Sequence, residues 1–325
     1  MKKIAKIIFY IFIFQLCWQL QAACQSTDVL GQCPVANIDS PCDITTLYCH
    51  GVAGDSTQIK DYKDLMMGKC ESINFPDTQK PTGLNLNTMI HVICKKAFGK
   101  ENINRTQTYL GQGEDIETIR KQIDPDKPYI LYGLCRGAAA IINYVATYNP
   151  TNVLALVLDE AFANVLDIID KLIFTNKKGE KILSTPIQRE QWLRFAFPSY
   201  PKKAKHPVEN ISAIKNKDLV VFLSYAKDAT TFHFPASTWK NYIAFKKAGF
   251  KNVYLCELES YGQNAQGTTK LLYLQRLNSV YKKHNLPYKA EYATLTDEQL
   301  LELQPSAQEI RKKLNTALKE ETIKK

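Results

Sequence analysis

Gly133-Leu134-Cys135-Arg136-Gly137 sets a thiol between two glycines, within the longer stretch PYILYGLCRGAAAIINYV (residues 128–145). An apolar β-type run leads into it and an alanine-rich helical run leads out. At such a turn the flanking glycines let strand and helix approach closely, and the middle side chain is pushed into the open at the strand's end. The chemistry on offer is nucleophilic attack by sulfur on a carbonyl carbon. A thiol with an ordinary pKa of about 8.5 keeps some thiolate near neutral pH. The start of the following helix favours that anion further. Attack also needs hydrogen-bond donors for the oxygen that turns negative, and groups that move protons.

The elements that would position these groups alternate along the chain. Strand-type runs fall at 44–49, 69–75, 129–132, 153–158, 219–224 and 253–258. Helical runs fall at 58–67, 86–98, 113–123, 135–148, 235–248 and 267–283. The 86–98 run repeats apolar residues at three-to-four spacing. Strands alternating with helices predict an α/β fold with a mainly parallel sheet covered on both faces. Segment 167–217 breaks the rhythm: Pro186, Pro198, Pro201 and Pro207 alternate with Trp192, Phe195, Phe197 and Tyr200. It reads as a small cap insertion, with ordinary surface loop and helix as the alternative. In the tail, Thr296 with Gln299 and Ser306 with Glu309 fit capping boxes and predict two short helices. Leu300, Leu301 and Leu303 are expected to dock the first, and the last reads as a solvated extension.

From about residue 45 to 283 the chain resembles the α/β-hydrolase superfamily. LYCHGVAGDS (47–56) looks like that family's His-Gly loop after an early strand. CESINFPD (70–77) looks like the next strand, and VLALVLDEAF (153–162) like the strand after the elbow helix. The family's first two antiparallel strands are not obvious before Cys42. The resemblance implies that Cys135 stands where serine is usual. It implies an oxyanion hole from the backbone N–H groups of Arg136 and Val52, in a loop shaped by Gly51 and held by His50. The acid position falls on Asp228 in VVFLSYAKDATTFHFP (220–235), with Asp159 and Glu160 as runners-up. The family's histidine belongs after the last strand, where ELESYGQNAQG (257–267) carries Gly262-Gln263-Asn264 instead. Neither amide accepts a proton near neutral pH. Of the remaining histidines, His233 lies five residues after Asp228 and is the candidate for a relocated base; the plainer reading packs it between Phe232 and Phe234. His91 and His206 have no motif to bring them to the thiol, and His284 is expected at the solvent-facing end of a helix.

A length of 325 residues and an apolar share of 45% suffice for one sizeable core. The chain divides into a signal peptide at 1–23, a cysteine-bearing segment at 24–43, the α/β-hydrolase domain at 44–288 and a helical tail at 289–325. Lys2, Lys3 and Lys6, the apolar run 7–18 and then Ala22-Ala23 make the three-part pattern of export to the periplasm or beyond. An uncleaved anchor, or a lipid on Cys24, is the alternative. Cys24, Cys33 and Cys42 suit an oxidising compartment, while Cys49, Cys70, Cys94 and Cys256 sit in apolar runs as small core residues. No cysteine or histidine spacing fits a metal site, and no cofactor is expected. The net charge of +10 is dispersed in lysine pairs. That argues against nucleic acid and fits contact with an anionic membrane surface better.

Two readings of function follow. The first is a hydrolase that cleaves an ester, thioester or small amide through an acyl-cysteine, with a small-molecule acyl substrate as partner. The second is a catalytically inactive pseudo-hydrolase that binds a small apolar ligand or a partner.

Overall fold

A computed structural model describes residues 44–51, 54–76, 109–167, 185–197, 200–227, 235–259 and 267–323. The segments read as signal peptide and cysteine-bearing arm, the helix at 86–98, Val52, Asp228, His233 and Asn264 lie outside the described residues. So do the side chains of Trp192 and Phe195.

Six described strands form one sheet: β1 (Thr45–Cys49), β2 (Lys69–Ile73), β3 (Tyr129–Leu134), β4 (Val153–Asp159), β5 (Val220–Ala226) and β6 (Val253–Leu258). All neighbours are parallel, in the order β2-β1-β3-β4-β5-β6. Every residue of β1, β3 and β5 is buried, so these runs are mostly apolar without alternation, as strands covered on both faces must be, with Thr45, Thr46 and Ser224 as buried polar exceptions. β2 lies at an edge and is half-exposed. This is the α/β-hydrolase fold that the sequence resemblance implies.

Helices supply the cover: α1 (Ile59–Tyr62), α2 (Glu114–Gln122), α3 (Arg136–Tyr148), α4 (Pro186–Ala196), α5 (Pro207–Asn210), α6 (Pro235–Lys247), α7 (Thr268–Lys283), α8 (Asp297–Glu302) and α9 (Ala307–Ile323). One face of the sheet packs Tyr48, Tyr132 and Phe222 against Tyr62 of α1 and Tyr273 and Leu277 of α7. The other packs Leu47, Leu131 and Leu156 against Ala138 and Ile142 of α3 and Phe245 of α6. Within the segment read as a cap, Phe197 and Tyr200 pack on the first cluster, while Ile211, just after α5, is buried in the second. The helix expected over 58–67 is a single α-helical turn between two 3₁₀ turns. Its chain then swings through Gly68 at φ 70°, where a side chain would collide with the Ile44 carbonyl, and so enters β2.

Both tail capping boxes form. The expected docking is corrected in two respects. Leu300 is 1% exposed and packs on the α7 face, but Leu301 and Leu303 are 62% and 38% exposed, so a single leucine anchors α8. The last helix is not merely solvated, because Ile310 of α9 is fully buried on the opposite face. The tail thus straddles the β6 edge. Gln304 Oε1 accepts the Leu255 N–H at 2.6 Å, and Pro305 O accepts from Tyr242 Oη at 2.7 Å. A paired, covered edge does not template another chain.

The strand order reverses direction at β1 and β3. From β1 the chain moves outward to β2, then returns to β3 on the other side of β1 and continues to β6. Loops leaving the carboxyl ends of β1 and β3 therefore diverge, and a crevice opens between them. Cys49 pairs in register with Gly133. His50 and Gly51 consequently leave their strand at the level where Leu134 and Cys135 leave theirs.

Candidate active site at the end of the third strand

β3 runs two residues past its expected end, because Leu134 pairs with Asp159 and the Cys135 N–H donates to the Asp159 carbonyl at 2.8 Å. Cys135 then turns with φ 52° and ψ −103°, and α3 begins at once with Cys135 as its N-cap. A non-glycine residue held there costs about 1–3 kcal/mol, and such strain concentrates at functional sites. Glycines make the turn sterically feasible. A Cβ on Gly133 would sit 2.5 Å from the Ala138 nitrogen, and a Cβ on Gly137 would drive into the Cys49 carbonyl. Ala138, Ala139 and Ala140 let α3 lie flat on the sheet, all fully buried. The helix's first N–H groups point out of its amino end beside Cys135, which is the geometry for holding negative charge.

Gly51, the first residue of the opposing loop, lies against the elbow: a Cβ there would meet Leu134 Cδ2 at 3.3 Å. His50 is fully buried behind it. Its Nδ1–H donates to Gly51 O at 2.8 Å, and its Nε2 accepts the Phe75 N–H at 3.2 Å. Both ring nitrogens are thereby committed, in the neutral tautomer, to backbone. Burial depresses its pKa to about 4. His50 therefore holds the loop and does not take a proton from Cys135.

The depressed value has a consequence for stability. A histidine kept neutral on folding contributes fully above its unfolded pKa near 6.5, and the contribution is lost as pH falls towards about 4. The expected loss across that window is about 3 kcal/mol. Ring-proton NMR is expected to find His50 uncharged down to about pH 4; titration near 6.5 would refute the buried, backbone-bound ring.

Arg136 is 1% exposed, although it begins a helix. Its Nε donates to Asp115 Oδ2 at 2.8 Å and its NH2 group to Asp115 Oδ1 at 2.6 Å. Its guanidinium lies over the Phe75 ring at 4.4 Å. The side chain points into the protein, so what it leaves to the site is its backbone N–H.

Asp159, beside the elbow, turns its carboxylate onto the α7 face. It accepts hydrogen bonds from Tyr132, from Ser224 and from Tyr273, the last at 2.9 and 3.1 Å. Tyr132 and Tyr273 also meet hydroxyl to hydroxyl at 2.8 Å. Burial raises the Asp159 pKa, and the hydroxyl bonds oppose that rise. The network ties the ends of β3, β4 and β5 to α7 beneath Cys135. Glu160, at φ 53°, accepts the Ala226 N–H at 2.8 Å and donates its own N–H to Ser224 O. It fixes the end of β5.

The other described histidines are placed elsewhere. His284 is half-buried, with Nε2 at 2.8 Å from Tyr254 Oη. Tyr254 is near the amino end of β6, so His284 sits at the end of the sheet away from Cys135, and not in the solvent-facing position its sequence suggested. His206 precedes α5, its ring 3.5 Å from Tyr200 Oη. Cys49 and Cys256 are buried, as Cys135 also is, and burial lifts the thiols of Cys49 and Cys256, the latter to about 12. Among the described residues no cluster of three or more His, Cys, Asp and Glu side chains is placed to hold a metal ion.

Asp115 was not among the residues singled out by sequence, and Phe75 entered only as the end of the CESINFPD strand motif, with no link to Arg136. A signal existed: Arg136 opens the helix that continues GAAAIINYV, and a cation in a first helical turn opposes the helix dipole, so it calls for an acidic partner. A buried arginine requires an acidic partner, and α2 carries Asp115 in its first turn.

No family model and no curated protein matches the sequence. Solved structures with a similar fold include an acylaminoacyl peptidase in complex with Z-Gly-Gly-Phe-chloromethyl ketone, at 12% identity and TM-score 0.44, covering 82% of this chain and 40% of that one. Est1E from Butyrivibrio proteoclasticus, with ferulic acid bound, is similar at 12% identity and TM-score 0.44, covering 76% of this chain and 91% of its own. A Pyrococcus furiosus esterase is similar at 15% identity and TM-score 0.42, covering 74% and 82% respectively. The chain spans less than half the length of the peptidase.

Proposed function

On this α/β-hydrolase fold we propose a cysteine-dependent acyl hydrolase that cleaves an ester, thioester or small amide. The observation that carries the reading is the backbone of Cys135, held at φ 52° and ψ −103° where β3 meets α3. Cys135 is not in the open position its sequence suggested, being only 5% exposed and packed with the first apolar cluster. A cysteine that serves only as packing nevertheless has no need of that strained backbone, whereas a nucleophile set at a strand-to-helix turn does.

In this reading the Cys135 thiolate attacks the carbonyl carbon, and the carbonyl π pair moves to oxygen. The Arg136 and Val52 N–H groups hold that oxygen, each donor contributing about 3–4 kcal/mol of barrier stabilisation. Collapse of the intermediate re-forms the C=O bond and breaks the bond to the alcohol, thiol or amine, which leaves with a proton from solvent. Water then hydrolyses the acyl-cysteine to a carboxylic acid and the regenerated thiol. Asp228 is assigned the acid position, and Asn264 is assigned to orient substrate. His233 serves as base only if its ring reaches the sulfur.

A thiolate attacks without help, but water does not. A missing general base costs about 10²–10⁴-fold in the step that needs it. Deacylation should therefore lag acylation. With p-nitrophenyl esters and S-acyl thioesters, the expected result is a burst of product equal to the protein present, followed by slow turnover. Release no faster than from Cys135→Ala protein across the whole series, with Cys135 still open to alkylation, would favour a ligand-binding protein instead.

A further inference from the structure

An oxyanion site needs its two donors at one spacing, yet here they come from chain segments more than eighty residues apart. In the acyl-hydrolase reading one is the first amide of α3, and the other is assigned to Val52, which follows Gly51 in the chain. The structure joins these segments through an unbroken series of buried contacts. Asp115 grips the Arg136 guanidinium at both oxygens, at 2.8 and 2.6 Å. The guanidinium lies 4.4 Å over the Phe75 ring. The Phe75 ring meets the His50 ring edge-on at 4.8 Å, and the Phe75 N–H donates to His50 Nε2. His50 Nδ1–H ends the series on Gly51 O.

We propose that Asp115 and Phe75 are positioning residues of the oxyanion site, bracing the Arg136 amide against the Gly51 loop; the proposal rests on the acyl-hydrolase reading above. Each link is directional. Arg136 is the first residue of its helix, so a tether on its side chain limits how far its own peptide can shift. A planar guanidinium held by two bonds keeps one plane, and that plane is what Phe75 reads. Asp115 is itself anchored, since its Oδ2 also accepts the Gly111 N–H at 2.7 Å. Gly111 O in turn accepts from Asn143 of α3 at 2.8 Å. Stability alone would not call for this arrangement, because a well-packed apolar pair of similar volume is commonly as stable as a buried ion pair. A fixed distance between two backbone segments is what the ionic version adds.

The test compares two reactions of the same sulfur in the full-length protein. With p-nitrophenyl acetate, the thiolate displaces p-nitrophenolate and acquires the acetyl group, and a carbonyl oxygen turns negative on the way. With iodoacetamide, the thiolate displaces iodide at a saturated carbon, and no oxyanion forms. In Asp115→Asn and in Phe75→Leu, acetylation is expected to fall by about tenfold or more while alkylation stays within about threefold, the pattern of weakened oxyanion donors. Hydrogen exchange at the Gly51 and Arg136 amides is expected to rise together in both variants. An unchanged ratio of the two reactions, or faster exchange at one amide alone, would overturn the brace. If Asp115→Asn does not fold, Phe75→Leu decides, since it keeps an apolar side chain in place. If the wild type alkylates but never acetylates, the acyl-hydrolase reading fails on its own, and the exchange measurement still decides whether the two segments are coupled.

Discussion

Cys135→Ser is expected to be as inactive as Cys135→Ala, each at least about 100-fold below the wild type in ester turnover. Serine and cysteine differ by one atom, but a hydroxyl needs a base to become a nucleophile and a thiol already supplies some anion. Of the described histidines, His50 spends both nitrogens on backbone, and His284 lies at the amino end of β6. A serine variant that kept substantial activity would mean that a base stands beside the sulfur, and His233 would be the first residue to test. Parallel steady-state assays of the wild type and both variants make the distinction.

Gly137→Ala is expected to lower stability by about 3 kcal/mol or more, at the upper end of the effects of forcing volume into a packed core. Gly137 lies within α3 and has no positive φ, so conformation gives alanine no difficulty. The difficulty is the Cys49 carbonyl, which occupies the space of a Cβ and belongs to the backbone of β1. Helix and strand would have to part, carrying the elbow away from the Gly51 loop. Gly249→Ala is the control. It sits at φ 84° with nothing within 4 Å of a built Cβ, so its cost is conformational and about 1 kcal/mol. Urea unfolding of both variants should give a much lower midpoint for Gly137→Ala. Equal midpoints would mean that β1 and α3 are not in close contact at the elbow.

The elbow was legible in the sequence because its constraint is local: the glycines at 133 and 137 are what a strand turning sharply into a helix requires. The inner strands were legible as largely apolar runs, the edge strand β2 (KCESI) much less so, and the tail helices through their capping boxes. What could not be read were the partners. Asp115 and Arg136 are twenty-one residues apart, and both are of types that usually face water. The hydroxyls around Asp159 come from β3, β5 and α7, three segments that meet through the fold alone. In the tail, Leu300, Leu301 and Leu303 look alike by type, and the geometry of one short helix decides which of them turns inward.

The central claim, that Cys135 is the acyl acceptor, is tested most directly by brief exposure to p-nitrophenyl acetate, an acid quench and peptide mapping by mass spectrometry. The predicted result is one acetyl group on the peptide carrying Cys135, in amount equal to the burst of p-nitrophenolate and missing from both Cys135 variants. Acetyl groups confined to surface lysines, or an unmodified Cys135 in protein that iodoacetamide still labels there, would contradict it.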